Sequence, residues 1–170
     1  MIAPSELLEC LEPELQAHCQ THAETLQQMT DGLNASREFC PEAVCEMVGL
    51  ESYGAWLRRV SPNMHWDWPH LVAIQKSLDC ITLGYFDRLL ISMPPRHGKS
   101  EVVTIRYPVY RMAMKPQTRA IVASYGDKLS YEFASRSKRV ARAARLGIGE
   151  RDTGLDWETS NGSSYQGLVS

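Results

Sequence analysis

The sequence lacks several features that mark particular classes of protein. No apolar run approaches the roughly 18 residues of a membrane-spanning helix, and the stretch from Met1 to Leu11 carries acids where a signal peptide carries bases. The five cysteines form no C-x-x-C pair, so reduced thiols are expected rather than a zinc site. These absences argue against a membrane or secreted protein and predict a cytoplasmic one.

Basic residues are nearly absent from the first third of the chain. Residues 1–51 hold ten acids against the single base Arg37, a net charge of −9, whereas residues 52–170 hold ten acids against seventeen bases, a net charge of +7. Leucines at helical spacing predict that residues 1–52 form an acidic helical segment. Such a segment can serve solubility as readily as binding, while a basic body is typical of proteins that handle DNA.

The most informative stretch is Ser92–Ser100, with the sequence SMPPRHGKS. The apolar run before it predicts a buried strand over Arg88–Met93, and a helix is predicted from Lys99 to about Met114, interrupted near Pro108. A strand, a tight loop and a helix in this order favour phosphate binding. The reason is that the first N–H groups of a helix have no internal partner and lie at the positive end of its dipole.

Three residues at the end of this stretch suit a bound nucleotide. Gly98 lets the backbone approach a phosphate, the ammonium of Lys99 can reach the β- and γ-phosphates, and the hydroxyl of Ser100 can ligate Mg²⁺. The pattern G-x-x-x-x-G-K-[ST] is only half fulfilled, because Met93 occupies the first glycine position. Since Gly-Lys-Ser also occurs by chance, a simple helix-capping turn remains the alternative.

The sequence of Met93–Glu101, MPPRHGKSE, resembles the deviant Walker A loop of the large terminase subunit of tailed bacteriophages. Ala123–Leu129, ASYGDKL, is similar to a second motif of that family, in which a strand ends in a Ser-Tyr pair and a helix follows. The resemblance begins near Tyr53. It implies that residues 53–170 form part of an α/β, P-loop NTPase-like domain whose parallel sheet is flanked by helices.

The resemblance also implies ATP and Mg²⁺ as cofactors, with Ser100 as a Mg²⁺ ligand and Lys99 as a catalytic residue. Arg96 is a further catalytic candidate, which could contact the γ-phosphate, act on a neighbouring subunit or simply pair with Glu101. The nucleotide-binding residues would be Pro94, Pro95, Arg96, His97, Gly98, Lys99 and Ser100.

A helix predicted over about Leu71–Leu83 supplies two candidates for the adenine side, again by the resemblance. The ring of His70 can stack on a base, and the amide of Gln75 can pair with its edge. The alternative is that His70 caps this helix and Gln75 is exposed. Trp66 and Trp68 are expected to pack in the core.

Three further elements are predicted downstream. A short buried strand over Arg119–Ser124 would pair in parallel with the strand before the loop, as in a βαβ unit. A helix over Lys128–Ala144, together with Arg145 directly after it, carries six bases against the single acid Glu132, which suits a solvated face or, alternatively, contact with a DNA backbone. Trp157–Tyr165 reads as a hairpin with an Asn-Gly turn.

No apolar run ending in Asp-Asp or Asp-Glu occurs in the 170 residues, so the Walker B acid that P-loop NTPases use to hold Mg²⁺ has no counterpart. The nuclease residues of the family are absent as well. We therefore expect a truncated terminase ATPase region with little or no turnover and with an unpaired sheet edge that promotes self-association.

In the intact family, ATP hydrolysis drives viral DNA into a capsid within the bacterial host cell. The implied partners are double-stranded viral DNA, the small terminase subunit and the capsid portal, without a membrane. Two alternatives remain open at the level of sequence. One is a non-enzymatic prophage remnant that binds a nucleotide or a partner, and the other is a different P-loop ATPase, such as a helicase-like enzyme.

Overall fold

A computed structural model describes residues 41–169, which form helices packed against a four-stranded sheet. The acidic segment predicted over residues 1–52 lies mostly outside the described residues. Within residues 41–169 the elements, in chain order, are α1 (Pro41–Met47), α2 (Tyr53–Val60), α3 (Pro69–Thr82), a π-helix (Ser100–Arg106), α4 (Tyr107–Met114), β1 (Arg119–Ser124), α5 (Asp127–Ala143), β2 (Ile148–Asp152), β3 (Asp156–Thr159) and β4 (Ser164–Val169).

The sheet is mixed, with the strand order β1-β4-β3-β2. β1 pairs in parallel with β4, for example Ala120 opposite Tyr165, and the other two pairings are antiparallel. The α/β class is therefore confirmed, whereas the all-parallel sheet expected from the resemblance is not what these residues form.

The prediction of a strand before Ser92–Ser100, here called the glycine-lysine loop, is wrong. Arg88–Met93 has no strand hydrogen bonds, although the side chains of Leu89 and Ile91 are half-buried against the core while Leu90 is 84% exposed. The alternation is that of a strand, but a strand also requires a neighbour to bond with its backbone. The described residues supply none beside this segment, so the expected βαβ unit does not form and β1 pairs with β4 instead.

β1 lies at the edge of the sheet and is not fully buried, contrary to the prediction. Its residues alternate between exposed and half-buried, and Ile121 is 63% exposed. The predicted hairpin is confirmed, because β3 and β4 pair in an antiparallel manner around a loop in which Gly162 has a φ of +80°. Trp157 and Tyr165 stack across this hairpin with 5.2 Å between ring centroids.

The helix after the loop changes type where the sequence predicts an interruption. Its first part, Ser100–Arg106, is a π-helix, in which the N–H of Tyr107 donates to the carbonyl of Val102. Pro108 is the second residue of α4. Proline has no N–H to give to the preceding turn, so the helix can restart at Tyr107 without losing a bond it would otherwise make.

An aromatic cluster fixes the π-helix against α2 and α4. The ring of Tyr53 lies 4.9 Å from that of Tyr110, and both side chains are fully buried. The hydroxyl of Tyr53 donates to the carbonyl of Val102 at 2.6 Å, which ties α2 directly to the π-helix. Trp66 is buried as predicted, but Trp68 is 59% exposed, so its predicted core position is wrong.

No helix within residues 41–169 has the length and apolar character needed to cross a membrane.

Candidate functional site

The backbone of the glycine-lysine loop contains two residues in the left-handed region. Arg96 has a φ of +65° and Gly98 a φ of +81°, and Lys99 then returns to a φ of −50°. Few residues other than glycine take a positive φ, so Arg96 is notable. Left-handed and right-handed residues in succession point backbone N–H groups into one concavity, which is a common way of binding phosphate.

The amides at the end of the loop are available to a ligand. The first amide of the following helix with a backbone acceptor is that of Val102, which donates to the carbonyl of Gly98 at 3.1 Å. Within the described part of the chain, no backbone carbonyl accepts from the amides of residues 98–101. Lys99 is half-buried and Ser100 is exposed at the start of the π-helix. The positive end of that helix therefore coincides with the predicted phosphate-binding residues.

Three aromatic side chains, those of His97, His70 and Trp68, connect the loop with the start of α3. The Nδ1 atom of His97 lies 2.8 Å from the carbonyl oxygen of Pro95, which orients the imidazole. The His97 ring meets that of His70 edge to face at 5.9 Å, and Trp68 stacks on His70 at 6.5 Å. The structure thus brings His70 next to the loop.

A cavity of about 400 Å³ opens between this aromatic group and the loop. Its volume lies within the range of roughly 300–1,000 Å³ that small-molecule sites occupy. Leu71 forms part of its floor and contacts the loop closely, since a Cβ atom at Gly98 would lie 3.2 Å from Leu71 Cδ2. The other lining residues are Met64, His65, Trp66, Trp68, His70, Arg96, His97 and Glu101.

Gln75 does not line this cavity. It is 1% exposed, its Nε2 donates to the carbonyl of Trp66 at 2.8 Å, and its Oε1 has no partner among the described residues. The prediction that Gln75 reaches a base is therefore wrong, and so is the alternative that it is exposed. His70 does not cap its helix either, because the N-cap residue of α3 is Trp68. Gln75 instead holds Trp66, which is a wall of the cavity.

Glu101 is held by two arginines and not by Arg96. Its carboxylate pairs with Arg106 of the same helix and with Arg136 of α5. Arg96 forms no ion pair within residues 41–169, so the interpretation that it pairs with Glu101 is wrong. Sequence reasoning missed Arg106, because residues five apart do not meet on an α-helix but do meet on a π-helix.

Arg106 connects the π-helix to the segment before α3. Its guanidinium lies 4.9 Å from the centre of the Trp66 ring and donates to Ser61 Oγ at 3.3 Å. Burial lowers the pKa of Arg106, which remains cationic because the ordinary value is far above neutrality. The carboxylate of Glu101 supplies the opposite charge that this buried cation requires.

The residues at the loop suit phosphate better than a metal alone. Within residues 41–169 no group of three or more His, Cys, Asp or Glu side chains is placed to hold a metal ion. Magnesium normally takes one or two carboxylates besides phosphate oxygens and water. Here the nearest carboxylate, Glu101, is already paired, so Mg²⁺ would depend on the Ser100 hydroxyl and on the oxygens of a bound phosphate.

The basic helix α5 is less positive than its sequence suggests. Lys138 and Arg142 both pair with Asp152 of β2, and Arg136 pairs with Glu132 as well as with Glu101. The bases of this region without an ion pair in residues 41–169 are Lys128, Arg139 and Arg145.

Comparison with known proteins gave no match to a family model, a curated protein or a solved structure.

Proposed function

We propose that residues 53–170 bind ATP as the ATPase region of a bacteriophage terminase large subunit. The observation that carries the proposal is the backbone of Arg96–Lys99, which presents amides at the start of a helix beside a cavity of about 400 Å³. The motif wording at Met93–Glu101 and Ala123–Leu129 supports the choice of family. A P-loop NTPase-like fold is part of the same proposal.

In this proposal each part of the site has a separate role. The amides of residues 98–101 and the ammonium of Lys99 bind the phosphates, since helix N-termini and cations both favour them. The base lies in the cavity against Trp68, His70 or His97, whose rings can stack on it. Magnesium, when bound, neutralises phosphate charge, and Ser100 is the residue that would ligate it.

Turnover is expected to be weak. Hydrolysis by P-loop enzymes needs an acid that fixes Mg²⁺ and a group that orients the attacking water. Residues 1–170 contain no apolar run that ends in paired acids, and the carboxylate of Glu101 is already paired with two arginines. A protein that binds ATP without hydrolysing it is therefore the second candidate function. Phosphate release that exceeds background and vanishes in Lys99→Ala would exclude it.

The wider role is proposed from the family alone. In this role the protein acts in the cytoplasm of a bacterial host. Its substrate is double-stranded viral DNA, and its partners are the small terminase subunit and the capsid portal. Self-association through the exposed β1 edge is a further part of the proposal.

A fluorescent ATP analogue tests the binding proposal directly. Lys99→Ala removes a charge-assisted contact to phosphate, so the affinity should fall roughly 10- to 100-fold. Lys115→Ala is the matched control, because Lys115 is an exposed lysine in the turn after α4. Equal loss in both variants, or no loss in Lys99→Ala, would contradict the proposal.

A further inference from the structure

A second cavity, of about 280 Å³, lies between the π-helix and α5 and is lined by three arginines. These are Arg106, Arg136 and Arg139, with Glu101 as the acid among the lining residues. Ile105 and Val140 contribute to an apolar floor. The lining carries three positive charges against one negative charge, so the cavity favours an anion.

The three arginines differ in how far their charge is already compensated. The Arg106 side chain is 9% exposed and pairs with Glu101, and the Arg136 side chain is 36% exposed and pairs with both Glu101 and Glu132. Arg139 is exposed and forms no ion pair within residues 41–169. Arg139 is therefore available to bind a ligand, and Arg136 is shared between two carboxylates.

We infer that this arginine cavity binds a phosphate group that competes with Glu101 for Arg136. Guanidinium groups bind phosphate in a bidentate manner, and two of them converge here on a space far larger than the ~30 Å³ of one water molecule. A phosphate dianion carries more charge than a carboxylate, so it would draw Arg136 and Arg139 towards itself. Glu101 would then keep Arg106 as its partner.

Glu101 also lines the cavity beside the glycine-lysine loop, so the two cavities share one carboxylate. Loss of its Arg136 contact leaves the negative charge of Glu101 less compensated next to the glycine-lysine loop. This link rests on the proposed function, whereas phosphate binding in the arginine cavity does not. The phosphate can belong to a small molecule or to the backbone of DNA, because both present anionic oxygens to the guanidinium groups. A DNA phosphodiester carries a single negative charge, so the charge argument favours the dianion of a small molecule.

The first experiment uses inorganic phosphate with the full 170-residue chain at constant ionic strength and without ATP. Phosphate should raise the melting temperature relative to chloride, and Arg139→Gln should remove the part of that shift that the arginine cavity contributes. Arg119→Gln is the matched control, since Arg119 is an exposed arginine of β1 that does not line the cavity. An unchanged shift in Arg139→Gln would overturn the inference.

Two variants separate this cavity from the glycine-lysine loop and from a purely structural ion pair. Lys99→Ala disables the loop, so the part of the phosphate shift that depends on Arg139 should remain in this variant. Loss of that part would place the phosphate at the loop and overturn the inference. Glu101→Gln removes the competing carboxylate, so the phosphate affinity should rise about fivefold or more. An affinity in Glu101→Gln that is equal or lower would contradict competition. If Glu101→Gln does not fold, Arg139→Gln, which alters only an exposed side chain, still tests whether phosphate binds in the arginine cavity.

A short DNA duplex distinguishes the two sources of phosphate. If DNA is the ligand, anisotropy should show binding that Arg139→Gln weakens, and the log–log salt slope should become shallower by about 0.9 for the lost contact. If a small molecule is the ligand, inorganic phosphate should bind and the duplex should not. Binding of neither probe would overturn the inference.

Discussion

At the scale of single residues, the least expected feature is a buried carboxyl group. Asp79 in α3 is fully buried, its Oδ1 accepts from the N–H of Tyr53 at 2.8 Å, and its Oδ2 has no partner among the described residues. Burial raises the pKa of Asp79 from 3.8 to about 7, although the hydrogen bond from Tyr53 acts in the opposite direction. The fold therefore favours the protonated acid.

The stability of the protein should consequently decrease as the pH rises. An unfolded aspartate ionises near pH 3.8 and the folded one near pH 7, so the contribution of Asp79 is fully present below about pH 4 and is lost by about pH 7. Asp79→Asn cannot ionise and should flatten this dependence. Urea unfolding at pH 5 and pH 7.5 measures it, and a parallel decrease in both proteins would contradict the role of Asp79.

Gly98 should tolerate no side chain. Its φ of +81° costs an L-residue roughly 1–2 kcal/mol, and a Cβ atom would also press on Leu71. Gly98→Ala should therefore destabilise the protein and weaken nucleotide binding. Gly126→Ala is the control, because Gly126 has no neighbour within 4 Å of a Cβ atom and has a φ of −157°. Equal stability of the two variants in urea would refute the strain.

Residue roles were the least predictable from sequence. The glycine and the lysine of the loop follow from a local pattern, and His70 lies near enough in the chain for its helix to place it at the loop. Gln75 was misplaced because its environment depends on how α2 and Trp66 pack against α3. A sequence does not contain that information in any local window.

At the scale of elements, local signals sufficed for helices and failed for one strand. The limits of α5 and β1 agree with the prediction to within one residue, because turn residues precede α5 and flank β1. Arg88–Met93 has the alternation of a strand but lacks a partner, and pairing is a property of distant residues. The π-helix was missed since no sequence pattern distinguishes it from an α-helix, although Pro108 marked the place where it ends.

The exposed edge of β1 predicts that the protein self-associates. Among the described strands β1 lies at the edge of the sheet, and it has an apolar centre and a single charge at its first residue, which are properties that promote strand pairing between molecules. Ile121→Lys should reduce self-association, whereas Ile121→Val should leave it unchanged. Sedimentation velocity over a range of concentrations measures this. A monomeric wild-type protein would contradict the prediction.

At the scale of the whole molecule, the positive charge that composition assigns to residues 52–170 is partly neutralised by acids of the same residues. Asp152 and Glu101 compensate bases of α5 that the sequence placed on one mainly positive face. Ten of the seventeen bases in residues 52–170 nevertheless form no ion pair within residues 41–169, so much of the positive charge remains uncompensated.

ATP-dependent thermal stabilisation of the 170-residue chain tests the central claim, that Met93–Glu101 binds phosphate. With ATP and Mg²⁺ at about 100 times the dissociation constant, the native state should gain ~2.7 kcal/mol, and the melting temperature should rise accordingly. Lys99→Ala should lose this rise, and Lys115→Ala should retain it. No rise in the wild-type protein, or the same rise in Lys99→Ala, would contradict the claim.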